Sequence, residues 1–135
     1  VYGDPEIHPQ AEDYRGNVSC TGPRACYDEG KRAAETLAFD YARAGRAQVR
    51  VARIFNTYGP RQSARAFIPT IISQAFARDE IRLGSLTPER DMTYVSDTVA
   101  GFLAAGSQPD IEGMTINLGT GETYSVGWFA HRIPN

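Results

Sequence analysis

The chain has 135 residues, a formal net charge of −2 and no apolar run that approaches the roughly 20 residues needed to cross a bilayer. This length suits one ordinary domain. The slightly acidic balance supplies no bulk attraction for nucleic acid or for an anionic membrane, so neither is an expected partner.

The sequence also offers little for metal binding or for disulfide formation. Cys20, Cys26, His8 and His131 have no Cys or His partners at metal-ligand spacing. Two scattered cysteines of this kind are typical of reduced thiols in the cytoplasm. The start, Val1–Asp4, has neither the basic nor the apolar region of a signal peptide. We therefore expect a cytoplasmic protein without a metal site.

A loop, a helix and a strand are the first predicted elements. Residues 3–24 are rich in Gly, Pro and acidic residues without periodicity, which predicts a long loop. A helix follows from Ala25 to Ala44 and ends at Gly45, and a strand of alternating character spans Val49–Phe55. The spacing i, i+3, i+4, i+7 predicts a helical stripe that faces a core, formed by Ala34, Leu37, Ala38 and Tyr41.

The polar run Asn56–Arg61 is expected to break that strand at its C-terminal end, the sheet edge where open α/β folds bind ligands. A helix with Val95, Val99, Phe102 and Leu103 on one face comes later. Strands that alternate with helices predict an α/β fold with parallel pairing. The remaining predicted elements are a helix over Ala66–Ala77, strands at Ile81–Leu83, Met92–Tyr94 and Met114–Leu118, helices over Val95–Ala105 and Ser125–Ile133, and a turn at Gly119–Gly121.

Tyr27 and Lys31 are the first candidates for chemistry. Four residues apart on the first helix, they project from one face about one turn apart. An ammonium close to a phenol favours the phenolate, which can act as a general base toward a sugar hydroxyl. The spacing also occurs in ordinary helix pairs, so by itself it indicates function only weakly.

The sequence around this pair is far more specific. Gly22–Leu37, which contains PRACYDEGKR, closely resembles the catalytic-helix segment of UDP-glucuronate decarboxylases, within the extended short-chain dehydrogenase/reductase (NAD-dependent epimerase/dehydratase) family. Val1–Pro5 and Arg53–Arg61 resemble the same proteins. Over residues 62–126, in the segments Gln62–Ile72 and Leu83–Phe102, the chain looks more like bacterial nucleotide-sugar 4,6-dehydratases that act on UDP-N-acetylhexosamine-type substrates.

The resemblance implies roles for individual residues. Tyr27 would be the catalytic base, with Lys31 as its partner and as a ligand of the NAD ribose. Tyr41 and Asn56 match substrate-contacting positions, and Thr57 matches a cofactor contact.

Three arginines near predicted loops, Arg61, Arg65 and Arg90, could grip a diphosphate bidentately, although each could also be a solvated surface residue. The resemblance makes Arg90 a substrate contact and, in decarboxylases, a catalytic residue. Gly119–Gly121 lacks the spacing and the lysine of a phosphate loop and is interpreted as a turn.

The resemblance thus implies the C-terminal part of a Rossmann-type fold with most of a small substrate-binding region. Residues 1–135 would form a partial domain whose Gly-rich cofactor half precedes Val1 in a longer, homodimeric, NAD-containing parent. The main prediction is decarboxylation of UDP-glucuronate to UDP-xylose through a 4-keto intermediate. A 4,6-dehydratase, a 4-epimerase and an inactive fragment that at most binds nucleotide sugar stay open, because the discriminating residues are expected upstream.

Overall fold

Residues 1–134 are described by a computed structural model, and they form the predicted α/β fold. Within this range no helix combines the length and the apolar character needed to cross a membrane. The elements in chain order are α1 (Ala25–Arg43), β1 (Val51–Ile54), β2 (Asn56–Tyr58), α2 (Phe67–Ala77), β3 (Glu89–Arg90), β4 (Met92–Tyr94), α3 (Val95–Ser107), β5 (Thr115–Leu118), β6 (Tyr124–Ser125) and α4 (Val126–Arg132).

The chain divides into two compact units. The first comprises Val1–Arg53 and Ala100–Leu118. The second comprises Ile54–Val99 together with the residues from Gly119 onward. Each unit is therefore built from two segments that are distant in the sequence. The boundary between the units falls within α3, between Val99 and Ala100.

In the first unit, the predicted loop over residues 3–24 is confirmed, and it is tied down by a bridge between Gly3 and Asn17. Strand β1 pairs with β5. Helix α3 approaches β5 closely at Gly101, where an added Cβ would lie 3.1 Å from Leu118 Cδ1. The close approach explains why a residue without a side chain lies at this position.

The second unit contains two small strand pairs. Strands β2 and β4 pair in parallel, with Asn56 opposite Met92, and β3 pairs antiparallel with β6, with Arg90 opposite Tyr124. The predicted parallel pairing is therefore confirmed. The buried apolar side chains are Ile68 and Ile71 of α2 and Val126 of α4.

Some predicted strands were wrong, because strands need partners that the local pattern does not reveal. The first strand ends at Ile54, ahead of the polar run as predicted, but Asn56–Tyr58 forms a separate strand, β2, since the Asn56 N–H donates to Asp91 O at 3.2 Å. Ile81–Leu83 has no regular structure. There the Gln74 side chain takes the place of a neighbouring strand: its Oε1 accepts from the Arg82 N–H at 2.7 Å and its Nε2 donates to Arg82 O at 3.0 Å.

The predicted core-facing stripe of α1 was also wrong in this chain. Ala34, Leu37 and Tyr41 are exposed and Ala38 is half-buried, while the more enclosed side of the helix also carries Arg32 and Glu35. Polar groups can occupy that side because loop carbonyls and Arg53 satisfy them. On α3, similarly, Val99, Phe102 and Leu103 are exposed, while Thr98 is buried.

Candidate functional site

The first group of predicted site residues lies on α1, in the first unit. Tyr27 is 59% exposed. Two cations lie near its ring: the Arg24 guanidinium carbon is 5.6 Å and Lys31 Nζ is 5.7 Å from the ring centroid. Helical spacing brings Lys31 to this position, as the sequence predicts. Positive charge near the ring is complementary to a phenolate oxygen, the form in which Tyr27 could accept a proton.

Within residues 1–134, the Lys31 ammonium has no ion-pair partner, although α1 carries several acidic residues. Those carboxylates are matched to arginines, in the pairs Arg24–Asp28, Arg32–Glu29, Arg43–Asp40 and Arg53–Glu35. Lys31 therefore keeps three donors that can reach a ligand hydroxyl.

Tyr41 is on the same helix but far from this pair. It follows Tyr27 by 14 residues, which is about 21 Å along the axis at about 1.5 Å per residue. The Arg46 guanidinium carbon lies 5.6 Å from the Tyr41 ring centroid. The structure thus does not bring Tyr41 to Tyr27 and Lys31, and one sugar ring could not contact all three.

In the second unit, Asn56 and Thr57 occupy β2, at the beginning of the polar run that the sequence analysis singled out. Asn56 Nδ2 donates to Asp91 O at 3.3 Å, beside the backbone bond between the same residues. The hydroxyls of Thr57 and Thr98 are 3.0 Å apart and share a hydrogen bond. Both predicted ligand contacts are thereby held in place by the second unit itself.

The turn after β2 has an unusual backbone. Gly59 has φ of 155°, and a Cβ there would lie 2.5 Å from Val95 Cγ1, so only glycine fits. Arg61 has φ of 66°, which is rare for a residue with a side chain. Backbone of this kind concentrates at binding sites, where the surrounding structure holds it. The exposed Arg61 side chain is the cation that this turn presents.

The other two predicted arginines are also exposed. Arg65 precedes α2, and Arg90 is part of β3, where its Nη1 donates to Glu89 O at 2.6 Å. In the part of the chain that the structure describes, neither these two nor Arg61 forms an ion pair. The ion-paired arginines are Arg24, Arg32, Arg43, Arg50, Arg53 and Arg82. Unpaired guanidinium groups suit a diphosphate.

Sequence reasoning missed Asp91, which is only 7% exposed. Its Oδ1 accepts from the Thr120 N–H at 3.0 Å and from Thr120 Oγ1 at 2.8 Å, and its Oδ2 accepts from the Gly121 N–H at 2.9 Å. The available signal was a carboxylate between two short extended segments, with a glycine-rich turn later in the chain. The predicted turn at Gly119–Gly121 is present, and its N–H groups bind this carboxylate.

A second missed cluster surrounds Arg53 in the first unit. Its guanidinium contacts Glu35 through two nitrogens, at 2.8 and 2.7 Å, and Nη1 also donates to the Tyr2 hydroxyl at 2.8 Å. These hydrogen bonds, led by those to Glu35, raise the pKa of Arg53 above its usual value. The Tyr2 hydroxyl donates onward to Asn117 Oδ1 at 2.8 Å. The cluster joins the N-terminal loop to α1, β1 and β5.

Asn117 also binds an acidic residue of the loop. Its N–H donates to Glu12 Oε1 at 2.9 Å, and this backbone hydrogen bond lowers the pKa of Glu12 below its usual value. The N-terminal loop is therefore fixed from two strands, from β1 through Arg53, whose Nη1 donates to Glu12 O at 2.9 Å, and from β5 through Asn117.

Residues 1–119 match the family described as the NAD dependent epimerase/dehydratase family, and the chain belongs to it. The predicted family membership is thus confirmed.

Individual relatives indicate which members of this family the chain resembles. The chain is 44% identical over 136 residues to UDP-glucuronic acid decarboxylase 1 of Xenopus tropicalis, an alignment that covers 98% of this chain and 32% of that protein. It is 50% identical over 106 residues to UDP-glucuronic acid decarboxylase 5 of Arabidopsis thaliana, which covers 76% of this chain and 31% of the relative. The chain therefore spans about a third of the length of these relatives.

Two solved structures share the fold over 93% of this chain. One is UDP-glucuronic acid 4-epimerase from Bacillus cereus in complex with UDP-glucuronic acid and NAD, at 29% identity and a TM-score of 0.80 over 39% of that chain. The other is the NAD dependent NDP-hexosamine 5,6-dehydratase TunA, at 31% identity and a TM-score of 0.79 over 40% of that chain.

Proposed function

We propose that this chain is the C-terminal part of an NAD-dependent UDP-glucuronate decarboxylase that forms UDP-xylose. The observation that carries the proposal is the 44% identity to a UDP-glucuronic acid decarboxylase across 98% of the chain. That alignment includes the segment around Tyr27, which would lie beside the reacting carbon. Residues beside the reacting carbon indicate the type of reaction more directly than residues that bind the nucleotide.

The donors on α1 fit the nicotinamide half of NAD. The Lys31 ammonium has no carboxylate partner among the described residues and lies one helical turn from the exposed Tyr27 phenol. The two could therefore hold ribose hydroxyls together. Thr57 is a separate candidate for a cofactor contact. With these residues holding it, NAD would supply reversible hydride transfer at the sugar C4.

Tyr27 would move the proton in this reaction. Its phenolate oxygen takes the proton of the sugar C4 hydroxyl. The positive charge of Lys31 is complementary to the negative charge that this oxygen carries before it accepts the proton. The C4 ketone that results is beta to the C5 carboxylate. It can take up the electrons of the breaking bond as an enolate while carbon dioxide leaves, and a proton from solvent then adds at C5 to restore the C4 ketone that is reduced.

The second unit carries the candidate ligands of the diphosphate. The diphosphate of UDP carries about two negative charges, which Arg61, Arg65 and Arg90 can meet with guanidinium groups that have no internal ion pair among the described residues. Asn56 would contact the sugar from β2. Arg90 would also contribute to catalysis through its contact with the substrate diphosphate.

Replacing Arg90 by alanine in the full-length protein is expected to weaken UDP binding by at least tenfold. The reason is the loss of a charge-assisted hydrogen bond, which contributes about 1.5–3 kcal/mol. Isothermal titration calorimetry with UDP alone measures it. The control is Arg82→Ala, which removes an exposed guanidinium paired with Glu80 and is expected to change the affinity less than twofold. Equal affinities for both variants would place Arg90 outside the diphosphate site.

A nucleotide-sugar dehydratase is the second candidate. Residues 62–126 resemble 4,6-dehydratases, and TunA shares 31% identity over 93% of the chain. In that case Tyr27 would perform the same proton transfer at C4, but water would be lost from the sugar instead of carbon dioxide. A 4-epimerase would lose neither.

Mass spectrometry of the products distinguishes these reactions. The full-length protein is incubated separately with UDP-glucuronate and with UDP-N-acetylglucosamine. Decarboxylation predicts loss of about 44 mass units from the first substrate, the mass of carbon dioxide, whereas dehydration predicts loss of about 18 from the second. Loss of water from UDP-N-acetylglucosamine with UDP-glucuronate untouched would refute the decarboxylase proposal. An unchanged mass with inversion at C4, measured by NMR, would indicate an epimerase.

We further propose a cytoplasmic homodimer. Leu37 and Tyr41 expose apolar surface on α1, and a second copy of the full-length protein is the expected partner of this helix. Cys20 and Cys26 are exposed and unpaired, which suits a reducing compartment. Analytical ultracentrifugation of the full-length protein would test the dimer.

A further inference from the structure

The buried carboxylate of Asp91 is hydrogen-bonded to uncharged groups. Its two oxygens accept three hydrogen bonds from Thr120 and Gly121, at 2.8 to 3.0 Å. Within the described part of the chain it forms no ion pair. A buried charge is tolerated when several oriented N–H and O–H groups face it, and a turn with successive N–H groups provides such a site. The turn must come very close to do so: a Cβ on Gly119 would lie 2.6 Å from Asp91 Oδ2.

The position of Asp91 in the chain is equally informative. It is the single residue between β3 and β4, so it lies where the chain passes from the pair β3–β6 to the pair β4–β2. Its side chain is buried, whereas the preceding Arg90 is exposed. Fixing Asp91 therefore also determines the direction in which Arg90 leaves the backbone.

The turn that Asp91 binds leads directly into the strand that pairs with Arg90. Residues 119–121 precede β6, and Tyr124 of β6 lies opposite Arg90 in the antiparallel register. Asp91 is thus connected to β3 in two ways: directly along the chain, and through its hydrogen bonds to the turn, which leads into β6, the strand that pairs with β3. Thr123 Oγ1, which donates to Glu89 Oε2 at 3.3 Å, reinforces the second connection.

The backbone of Asp91 is held from the opposite direction by β2. Its carbonyl oxygen accepts from the N–H of Asn56 at 3.2 Å and from Asn56 Nδ2 at 3.3 Å. The side chain and the main chain of Asp91 are thus both fixed, by different segments. The residue that carries the proposed diphosphate contact is attached to this rigid point.

We propose that Asp91 is a positioning residue for Arg90: by binding the 119–121 turn, its carboxylate fixes the β3 backbone so that the Arg90 guanidinium is presented to the substrate diphosphate. This inference rests on the proposed function, because it takes the diphosphate as the ligand of Arg90. Asp91 itself does not touch the substrate. Its effect on binding is transmitted through the orientation of its neighbour.

The test is a double-mutant cycle on UDP affinity in the full-length protein, measured by calorimetry with UDP as the probe. Asp91→Asn keeps the shape of the side chain but turns one acceptor into an amide that faces a donor. It is expected to weaken UDP binding about tenfold while the far-UV circular dichroism stays that of the folded protein. In the Arg90→Ala background, where no guanidinium remains to be oriented, the same change is expected to weaken binding less than about twofold.

Thr120 provides a milder pair of variants if Asp91→Asn does not fold. Thr120→Val removes the hydroxyl that donates to Asp91 Oδ1, whereas Thr120→Ser keeps it, and residue 120 is exposed, so neither buries a new group. Valine is expected to weaken UDP binding about threefold, and serine to restore the wild-type affinity. Valine and serine variants with equal affinity would overturn the proposal.

The remaining outcomes separate the two hypotheses. If Arg90→Ala weakens binding but Asp91→Asn does not, the positioning role is wrong and the diphosphate site stands. Equal weakening by Asp91→Asn in both backgrounds would also reject the positioning role, because the effect would not pass through Arg90. If Arg90→Ala leaves UDP affinity unchanged, the proposed diphosphate site and the positioning role both fail.

Discussion

Replacing Tyr27 by phenylalanine in the full-length protein is expected to lower kcat for UDP-glucuronate by at least 100-fold. Phenylalanine keeps the ring and its contacts with Arg24 and Lys31 but lacks the hydroxyl that would exchange the C4 proton. Positioned acid–base groups contribute about 100-fold to 10,000-fold to rate. Because Tyr27 is 59% exposed and its hydroxyl is not part of the packed interior, the melting temperature should stay within about 2 °C of wild type. Steady-state turnover and thermal unfolding measure the two quantities.

Tyr41→Phe is the matched comparison for this variant. It makes the same chemical change on the same helix, at a residue that is also exposed and also has a cation near its ring. Its kcat is expected to change less than twofold, since Tyr41 lies about 21 Å from Tyr27 along the helix. A raised KM would support the predicted substrate contact at Tyr41. If Tyr27→Phe retained more than about a tenth of the wild-type rate, a barrier change below ~1.4 kcal/mol, Tyr27 would not be the base.

The helices could be predicted from the sequence because their signals are local. Helix α1 was expected over Ala25–Ala44 and spans Ala25–Arg43, and α2 was expected over Ala66–Ala77 and spans Phe67–Ala77. Apolar periodicity, a glycine after the helix and a proline in the first turn act within a few residues. The motif around Tyr27 is also contiguous, so the pair with Lys31 could be found without a structure.

Features that depend on distant partners could not be predicted in this way. The two-residue strands β3 and β6 exist only because Glu89–Arg90 finds Tyr124–Ser125. Asp91 has the same origin, since its donors come from a turn 29 and 30 residues later in the chain. The enclosed face of α1 was missed for a related reason. Its Glu35 is satisfied by Arg53, 18 residues away, which a periodicity of apolar residues does not reveal.

The contact between Arg53 and Glu35 predicts the largest effect on stability. Replacing Glu35 by glutamine in the full-length protein is expected to lower the free energy of unfolding by about 3 kcal/mol, the scale for breaking one side of an enclosed ion pair. The side chains of Arg53 and Glu35 are only 14% and 16% exposed. Glutamine fills the same space but offers one acceptor where the guanidinium fork needs two, and its amide would face a donor. Urea unfolding followed by circular dichroism measures the change.

The same helix provides a control of identical chemistry. Asp40→Asn also turns a carboxylate into an amide, but Asp40 and its partner Arg43 are 70% and 67% exposed, so the expected loss is below about 0.5 kcal/mol. A large loss of unfolding free energy at Glu35 with a small one at Asp40 would establish that the stabilisation by the Arg53–Glu35 ion pair depends on its enclosure and not on pairing alone. Equal losses at the two positions would contradict the prediction. Arg53 would then contribute to folding through its bonds to Tyr2 and to the Glu12 carbonyl at 2.9 Å. Tyr2→Phe, which removes one of those acceptors without disturbing Glu35, would become the more damaging change.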